Sequence, residues 1–584
     1  MIRFTHPASL GIAILLLAAC GGAPPPPPSP ASSPASPRDD LARLVEDYWD
    51  EYLQLNPQKL PQGAAARFDG ARGYDISAQF LADSLALERR YLAALLAVAR
   101  PGLDAESRLT YDIFRRQREL AVESFTYPSE LLPVNPVRSM PQLFAQTGAG
   151  EGPYAILSAK DYANWQARAT AYVRWTSQAM VNMREGMRRG YALPRVLVAE
   201  MLPQLAALGT DTPANVFYQP LRSIPETIPD SERNRLIEAV TADVKDRILP
   251  AYRALHDFLR DEYLPRARES VGLSGLPLGR SWYAFLIRRE TDGALTPAEI
   301  HARGLAEVER LHGRLPALLA ETANSPEPHR TPEELLSLYG DLEVQAAAAL
   351  PPLFAEAPQT GLAVRLVEAF RQATAPALSY QRATPNGSAA AVLYVNPAGM
   401  GAHPIAPAAR FLREAVPGHH YQLAIQQERS DLPRFRRFGG NPAFVEGWGL
   451  YAVSLGEELG LYRDAGSRMA ALLGQLECAA GLVVDTGLHA LGWSRQQAMD
   501  YLHAQLPIDE TEVRDMVDRD IALPGEALGC TMGERRIQSL RARAEQALGT
   551  RFDVRAFHTE LLHGGAMPLD ILESDVNRWL DGIH

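Results

Sequence analysis

Residues 411–428, FLREAVPGHHYQLAIQQE, place one carboxylate and two imidazoles in a single short stretch. In zinc hydrolases of the H-E-x-x-H type, two histidines one helical turn apart hold the metal, and the glutamate activates its water. Glu414, His419 and His420 supply those residue types, but the residue before Glu414 is Arg413. Arginine stays protonated and only donates hydrogen bonds, so it cannot ligate zinc. On an ideal helix, positions 413 and 420 share a face but lie about 10 Å apart along the axis, too far for one ion. Pro417 and Gly418 alter that geometry. Proline inside a helix costs about 3 kcal/mol and glycine about 1 kcal/mol, so a kink or bulge is predicted between 414 and 419. Such a break can fold the imidazoles back toward Glu414. It would set a general base, Glu414, beside two metal ligands, His419 and His420.

A second carboxylate follows in NPAFVEGWGLYAVSLGEELG, residues 441–460, whose pattern reads as a helix with Glu446 in its first turn. Glu446, Gly449, Leu450 and Val453 share one face, which turns Glu446 toward the core. A carboxylate from a downstream helix is the third ligand of glutamate-type zinc peptidases. Alone, Glu446 would be read as favouring a helix N-terminus electrostatically; beside PGHH the ligand reading prevails. In LVVDTGLHALGW, residues 482–493, Asp485 and His489 stand one turn apart and can hydrogen-bond. They are candidates for catalytic support, with a carboxylate orienting an imidazole. A buried, mutually satisfied pair is an equal alternative.

These residues must be positioned mostly by helices. Leu41, Leu44, Val45, Trp49 and Leu53 recur at helical spacing, as do apolar residues near 81–98, 163–188, 233–262 and 333–350. Thr296-Pro297-Ala298-Glu299 is a capping box with proline at the first helical position. Proline-rich breaks near 126–136, 202–229 and 351–358 separate helices. AAVLYVN, residues 390–396, is the clearest strand. The fold class is therefore mainly α, with one large helical domain over 40–584, a cleft and a very small β-sheet.

The chain has 584 residues, is 46% hydrophobic and 22% charged, and carries a formal net charge of −11. That acidity argues against nucleic acid and against an anionic membrane surface as main partners. The N-terminus, MIRFTHPASLGIAILLLAACGG, has a basic start and an apolar run too short to span a bilayer. Leu17-Ala18-Ala19-Cys20 resembles a bacterial lipobox, which makes 1–20 a signal peptide and Cys20 the lipidation site. Residues 21–39 are a proline-rich spacer that holds a domain off a membrane. Gly21 after the cysteine favours the periplasmic side of the outer membrane. Cys478 and Cys530 remain; a disulfide is possible in an oxidising compartment, with two unpaired thiols the preferred expectation. TGAGEG at 147–152 lacks the context of a phosphate loop, and no G-x-S-x-G elbow exists. RFRRF at 434–438 reads as a surface loop or a positive rim for a substrate carboxylate.

REAVPGHHYQ, FVEGWGLYA, VVDTGLHALGWS and PGEALGCTMGERRIQSLR occur in that order along the chain. Together they resemble the bacterial family called domain of unknown function 885, many of whose members carry secreted-lipoprotein signals. That family in turn is similar to helical zinc peptidases of the angiotensin-converting-enzyme and thimet-oligopeptidase types. The resemblance implies a helical, cleft-containing fold with AAVLYVN as a short edge strand beside the substrate. It assigns Glu414 as base, His419 or His420 as a zinc ligand, and Glu446 as the carboxylate ligand. The family usually has histidine where this chain has Arg413. It often has tyrosine where this chain has Cys530, a position from which tyrosine could stabilise an oxyanion. Arg413 can instead pair with Glu414 or Glu446 and replace the metal's charge. The favoured function is zinc-dependent peptide hydrolysis by an envelope-anchored lipoprotein. The alternative is a metal-free relative that binds peptides or an envelope partner. A purely structural envelope role leaves the Pro417-Gly418 break unexplained.

Overall fold

The structure is a computed structural model that describes residues 36–56, 75–150, 156–222, 224–322, 330–367, 372, 376–384, 390–398 and 407–583. The expected signal peptide, Cys20 and residues 21–35 of the expected spacer lie outside the described residues, and residues 37–39 already belong to the helix Pro37–Leu55. Helices dominate, and side-chain caps start many of them. Ser77 accepts from Phe80 N at the head of Ala78–Leu96, and Thr296 and Glu299 cap Pro297–His312 reciprocally. Each such cap satisfies a backbone N–H that the helix itself leaves free, contributing about 1 kcal/mol. Ala159–Arg189 and Pro332–Ala349 follow the apolar periodicity of their sequences. The break expected at 202 falls later: Pro203 lies inside Arg195–Gly209. The buried Leu197, Val198, Met201 and Leu205 on that helix offset the hydrogen bond that proline removes.

The sheet consists of β1 (Leu362–Leu366), β2 (Leu378–Gln381) and β3 (Ala391–Val395), in the order β1-β3-β2. β3 runs parallel to β1 and antiparallel to β2. The expected edge strand is thus the central one. Both its faces are covered: Ala391, Leu393 and Val395 enter the main core, and Val392 and Tyr394 pack in a smaller cluster opposite. An apolar strand without alternation belongs in such a two-sided position.

That main core joins N-terminal residues such as Leu41, Val45 and Phe114 to Phe411, Leu412, Trp448, Ile537 and Phe557. It supports three site-bearing helices, Pro407–Glu414, His419–Glu428 and Pro442–Ser454. Pro442–Ser454 packs extensively on Leu528–Leu548. Ala465–His489 is long and apolar enough to cross a bilayer, but 78% of its apolar window is buried inside the protein, so it is a core helix. A disulfide joins it to Leu528–Leu548 through Cys478 and Cys530, with Cα atoms 6.1 Å apart. This corrects the expectation of two unpaired thiols. The helices that carry these cysteines cross within bridging distance, which spacing along the chain does not reveal.

Candidate functional site

The Pro417-Gly418 step divides what would be one helix into two. Pro407–Glu414 ends at the carboxylate and the next helix starts at His419. The Val416–Pro417 peptide bond is cis. Gly418 is folded so tightly over the preceding turn that a Cβ would lie 1.9 Å from the Arg413 carbonyl oxygen. No residue with a side chain fits there. Trp448, fully buried, donates its indole N–H to the Pro417 carbonyl at 2.8 Å and pins the break from the Pro442–Ser454 helix.

The consequence is a cluster of four charged groups. Arg413 Nη2 donates to Glu446 Oε2 at 2.9 Å, and Arg413 Nε lies 3.7 Å from Glu414 Oε1. His419 Nδ1 is 3.3 Å from Glu414 Oε2, and its Nε2 is 3.9 Å from Glu446 Oε2. Gly449 leaves room for that imidazole, since a Cβ there would approach His419 Nε2 to 2.6 Å. Burial alone would raise the Glu414 carboxyl, but the His419 charge and hydrogen bond, with Arg413 beyond, hold it below its ordinary value. Burial opposes a charge on His419 too. Glu414 and then Glu446 outweigh it and hold the imidazole above its usual value. The cluster is therefore two cations interleaved with two anions. The side chains of Glu446 and Arg413 remain 38% and 27% exposed, so solvent reaches the pair at the rim. Glu446 thus points less toward the core than its helical face suggests. It also stands past the first turn of a helix that ends at Ser454.

Other candidates do not join this cluster. His420 turns to Tyr380 of β2, whose hydroxyl is 3.2 Å from His420 Nδ1, and burial lowers the imidazole to about 4. Asp485 and His489 are fully buried but do not bond to each other. Asp485 accepts from the Tyr283 hydroxyl and from Gly525 N, the latter at 2.8 Å. His489 Nδ1 accepts from Leu273 N at 3.1 Å and Nε2 donates to the Asp520 carbonyl at 3.0 Å. The expected pairing is replaced because four partners from distant segments satisfy both side chains. Burial pushes Asp485 up to about 7 and His489 down to about 4, as for groups held in a dry core. Cys530, being half of a disulfide, cannot stand in for a hydroxyl donor. Its partner Cys478 lines the site instead, with Sγ 3.5 Å from Arg413 Nη1. Arg434 and Arg436 of the RFRRF segment are spent internally, on Glu46 and Asp50 and on Glu106 and Thr110. Arg437 donates to the Gln427 carbonyl, and the segment forms a short helix, Arg434–Arg437, rather than the expected surface loop. A cavity of about 730 Å³ lies apart, lined by residues such as Arg195, Arg280 and Trp493 and by none of the site candidates.

Zinc is a poor match for the cluster. Among the described residues the cluster's donor groups are His419 Nε2 and two carboxylates already engaged, Glu446 by Arg413 and Glu414 by His419 and Arg413. The place of a third ligand is filled by a permanent cation, which would repel the metal. Tyr380 and Trp448 were not singled out from the sequence, whereas Gly449 was placed on the Glu446 face and Cys478 was considered only as a thiol.

Comparison with known structures supports the fold. A candidate lipoprotein from Colwellia psychrerythraea superposes with a TM-score of 0.80 at 24% identity, over 94% of this chain and 100% of its own. A candidate lipoprotein of unknown function from Shewanella oneidensis gives 0.66 at 16% identity, over 91% and 99%. No match was found among curated proteins. The model of a family described as bacterial proteins of unknown function, DUF885, matches residues 63–576. With most of its length matched, this chain belongs to the DUF885 family.

Proposed function

We propose that this protein is an envelope-anchored lipoprotein that binds extended peptide segments without metal, with Arg413 supplying the positive charge that zinc supplies in a peptidase. The observation that carries this reading is the Arg413 Nη2 to Glu446 Oε2 bond of 2.9 Å. A general base must have a free lone pair and a pKa near the working pH. Glu414 lacks the second: His419 and Arg413 hold it below its ordinary value, and the His419 contact and the Tyr380 backbone occupy part of its acceptor capacity. The exposed edges of Arg413 and Glu446 set a donor beside an acceptor, matched to a peptide carbonyl and amide. Support for the anchor comes from Cys20 and the spacer in the sequence. The disulfide suits an oxidising envelope, and both structural neighbours bear lipoprotein descriptions.

One observation favours the zinc-peptidase reading. His419 Nε2 is buried without a hydrogen-bond partner and faces Glu446. The two readings separate in an assay of the mature protein against a fluorogenic peptide mixture, with added zinc and with chelator. Binding without turnover is expected, and Arg413→Met should weaken that binding at least tenfold. Turnover that chelator abolishes and zinc restores would establish the peptidase reading instead.

A further inference from the structure

Away from this cluster, a second group of ligating side chains joins the last two helices. Val554–His563 carries Glu560 and His563, and Leu569–Ile583 carries Asp575. One potential ligand atom from each of the three lies within 4.8 Å of the others. His563 Nδ1 donates to the Glu560 carbonyl at 2.6 Å, which leaves the lone pair on Nε2. That nitrogen faces Asp575 Oδ2 at 3.6 Å. The Asp575 side chain is 4% exposed, and its Oδ2 has no hydrogen-bond donor. A buried carboxylate oxygen opposite an imidazole nitrogen needs a proton or a metal cation between them, and the third ligating group nearby suits the metal.

The surrounding charges leave room for that cation. Arg578 Nη1 engages Asp575 Oδ1, the outer oxygen, at 2.5 Å. Arg436 also acts on Asp575 electrostatically, but it is bonded to Glu106, Thr110 and the Gly564 carbonyl. Ligands of a tetrahedral zinc bind at about 2.0–2.2 Å, so neighbouring donors stand about 3.3–3.6 Å apart. The His563 Nε2 to Asp575 Oδ2 spacing of 3.6 Å meets that requirement, while Glu560, whose Oε2 lies 3.7 Å from Nδ1, would have to turn toward Nε2 to complete the set. One nitrogen and two carboxylates suit zinc or a similar transition metal better than magnesium or calcium, which prefer all-oxygen shells.

We infer that Glu560, His563 and Asp575 form a divalent transition-metal site that clamps the last two helices together. It does not depend on the reading of the Arg413 cluster. The test uses crystals of the mature protein equilibrated with zinc and measured at the zinc absorption edge. An anomalous peak is expected about 2 Å from both His563 Nε2 and Asp575 Oδ2. In parallel, a competition titration should show at least tenfold weaker zinc binding in His563→Gln and in Asp575→Asn. No peak at this cluster, or a peak only between His419 and Glu446, would overturn the inference. So would unchanged affinity in both folded variants; should neither variant fold, the anomalous map alone decides.

Discussion

Replacing Arg413 by histidine tests whether a guanidinium has taken the place of a metal. Arg413 lies 2.9 Å from Glu446 and 3.7 Å from Glu414. Unit charges about 4 Å apart attract by about 4 kcal/mol at an effective dielectric of about 20. Solvent screening cuts this, since the Glu446 side chain is 38% exposed and surface pairs contribute only about 0–1 kcal/mol. Loss of the arginine should therefore destabilise the fold by about 1–3 kcal/mol. With an unfolding entropy of about 2.1 cal/mol/K per residue, that is a drop in Tm of only about 1–3 °C in a chain this long. The informative comparison is with zinc, in a His563→Gln background that removes the separate metal site. Arg413→His exchanges a repelling charge for a third donor beside His419 and Glu446. At a hundredfold excess over Kd, zinc should then return about 2.7 kcal/mol. Arg413→Met loses the same ion pairs without gaining a donor, and zinc should not rescue it. Thermal melts of the three proteins, with and without zinc, decide the matter. Equal zinc shifts in all three would refute the idea that Arg413 stands at a ligand position.

The disulfide should leave neither Cys478 nor Cys530 as a titratable thiol in denatured, unreduced protein. Cys478→Ser should cost up to about 4 kcal/mol from the loop of 52 residues, read by chemical denaturation. His489→Phe should destabilise by about 2–4 kcal/mol, because it strands the Leu273 N–H and the Asp520 carbonyl. Peptide binding by the folded fraction should not change, and a selective loss of binding would return His489 to the site. Glu414→Gln should show a pH-dependent cost. Glu414 is held below its ordinary value of 4.5, so its contribution is present above that pH and fades as the pH falls through its folded value. His419 is held above its ordinary value of 6.5, so its contribution is complete below that pH and fades as the pH rises through its folded value. The stability difference between wild type and Glu414→Gln should peak between about pH 4.5 and 6.5. A flat difference from pH 4 to 9 would mean that His419 and Glu414 are not an ion pair.

What the sequence discloses depends on whether the deciding interaction is local. The helices and the Thr296–Glu299 cap are legible because periodicity and capping act within a few residues. The break at Pro417-Gly418 is legible for the same reason: a missing N–H and a bare glycine disrupt a helix whatever surrounds them. Side-chain partnerships across the fold are not legible in this way. Asp485 and His489 have the spacing of a pair, yet Tyr283, Gly525, Leu273 and Asp520 claim them from remote segments. His420 sits next to His419 but faces β2, because successive residues at a helix start point in different directions. The apolar run of β3 shows that it is a strand, whereas its central place depends on what covers each face.

Arg413 lies between these cases. Its inability to bind metal follows from its chemistry alone, but its partner depends on where the Pro442–Ser454 helix sets Glu446. Once that helix is docked through Trp448 on the Pro417 carbonyl, Glu446 has either a metal or a guanidinium to neutralise it. A chain that lost the ligand and gained no cation would leave this carboxylate facing Glu414 with only His419 between them. On the proposed metal-free reading, arginine at the position before Glu414 supplies the positive charge that a metal would, and it keeps the cluster balanced.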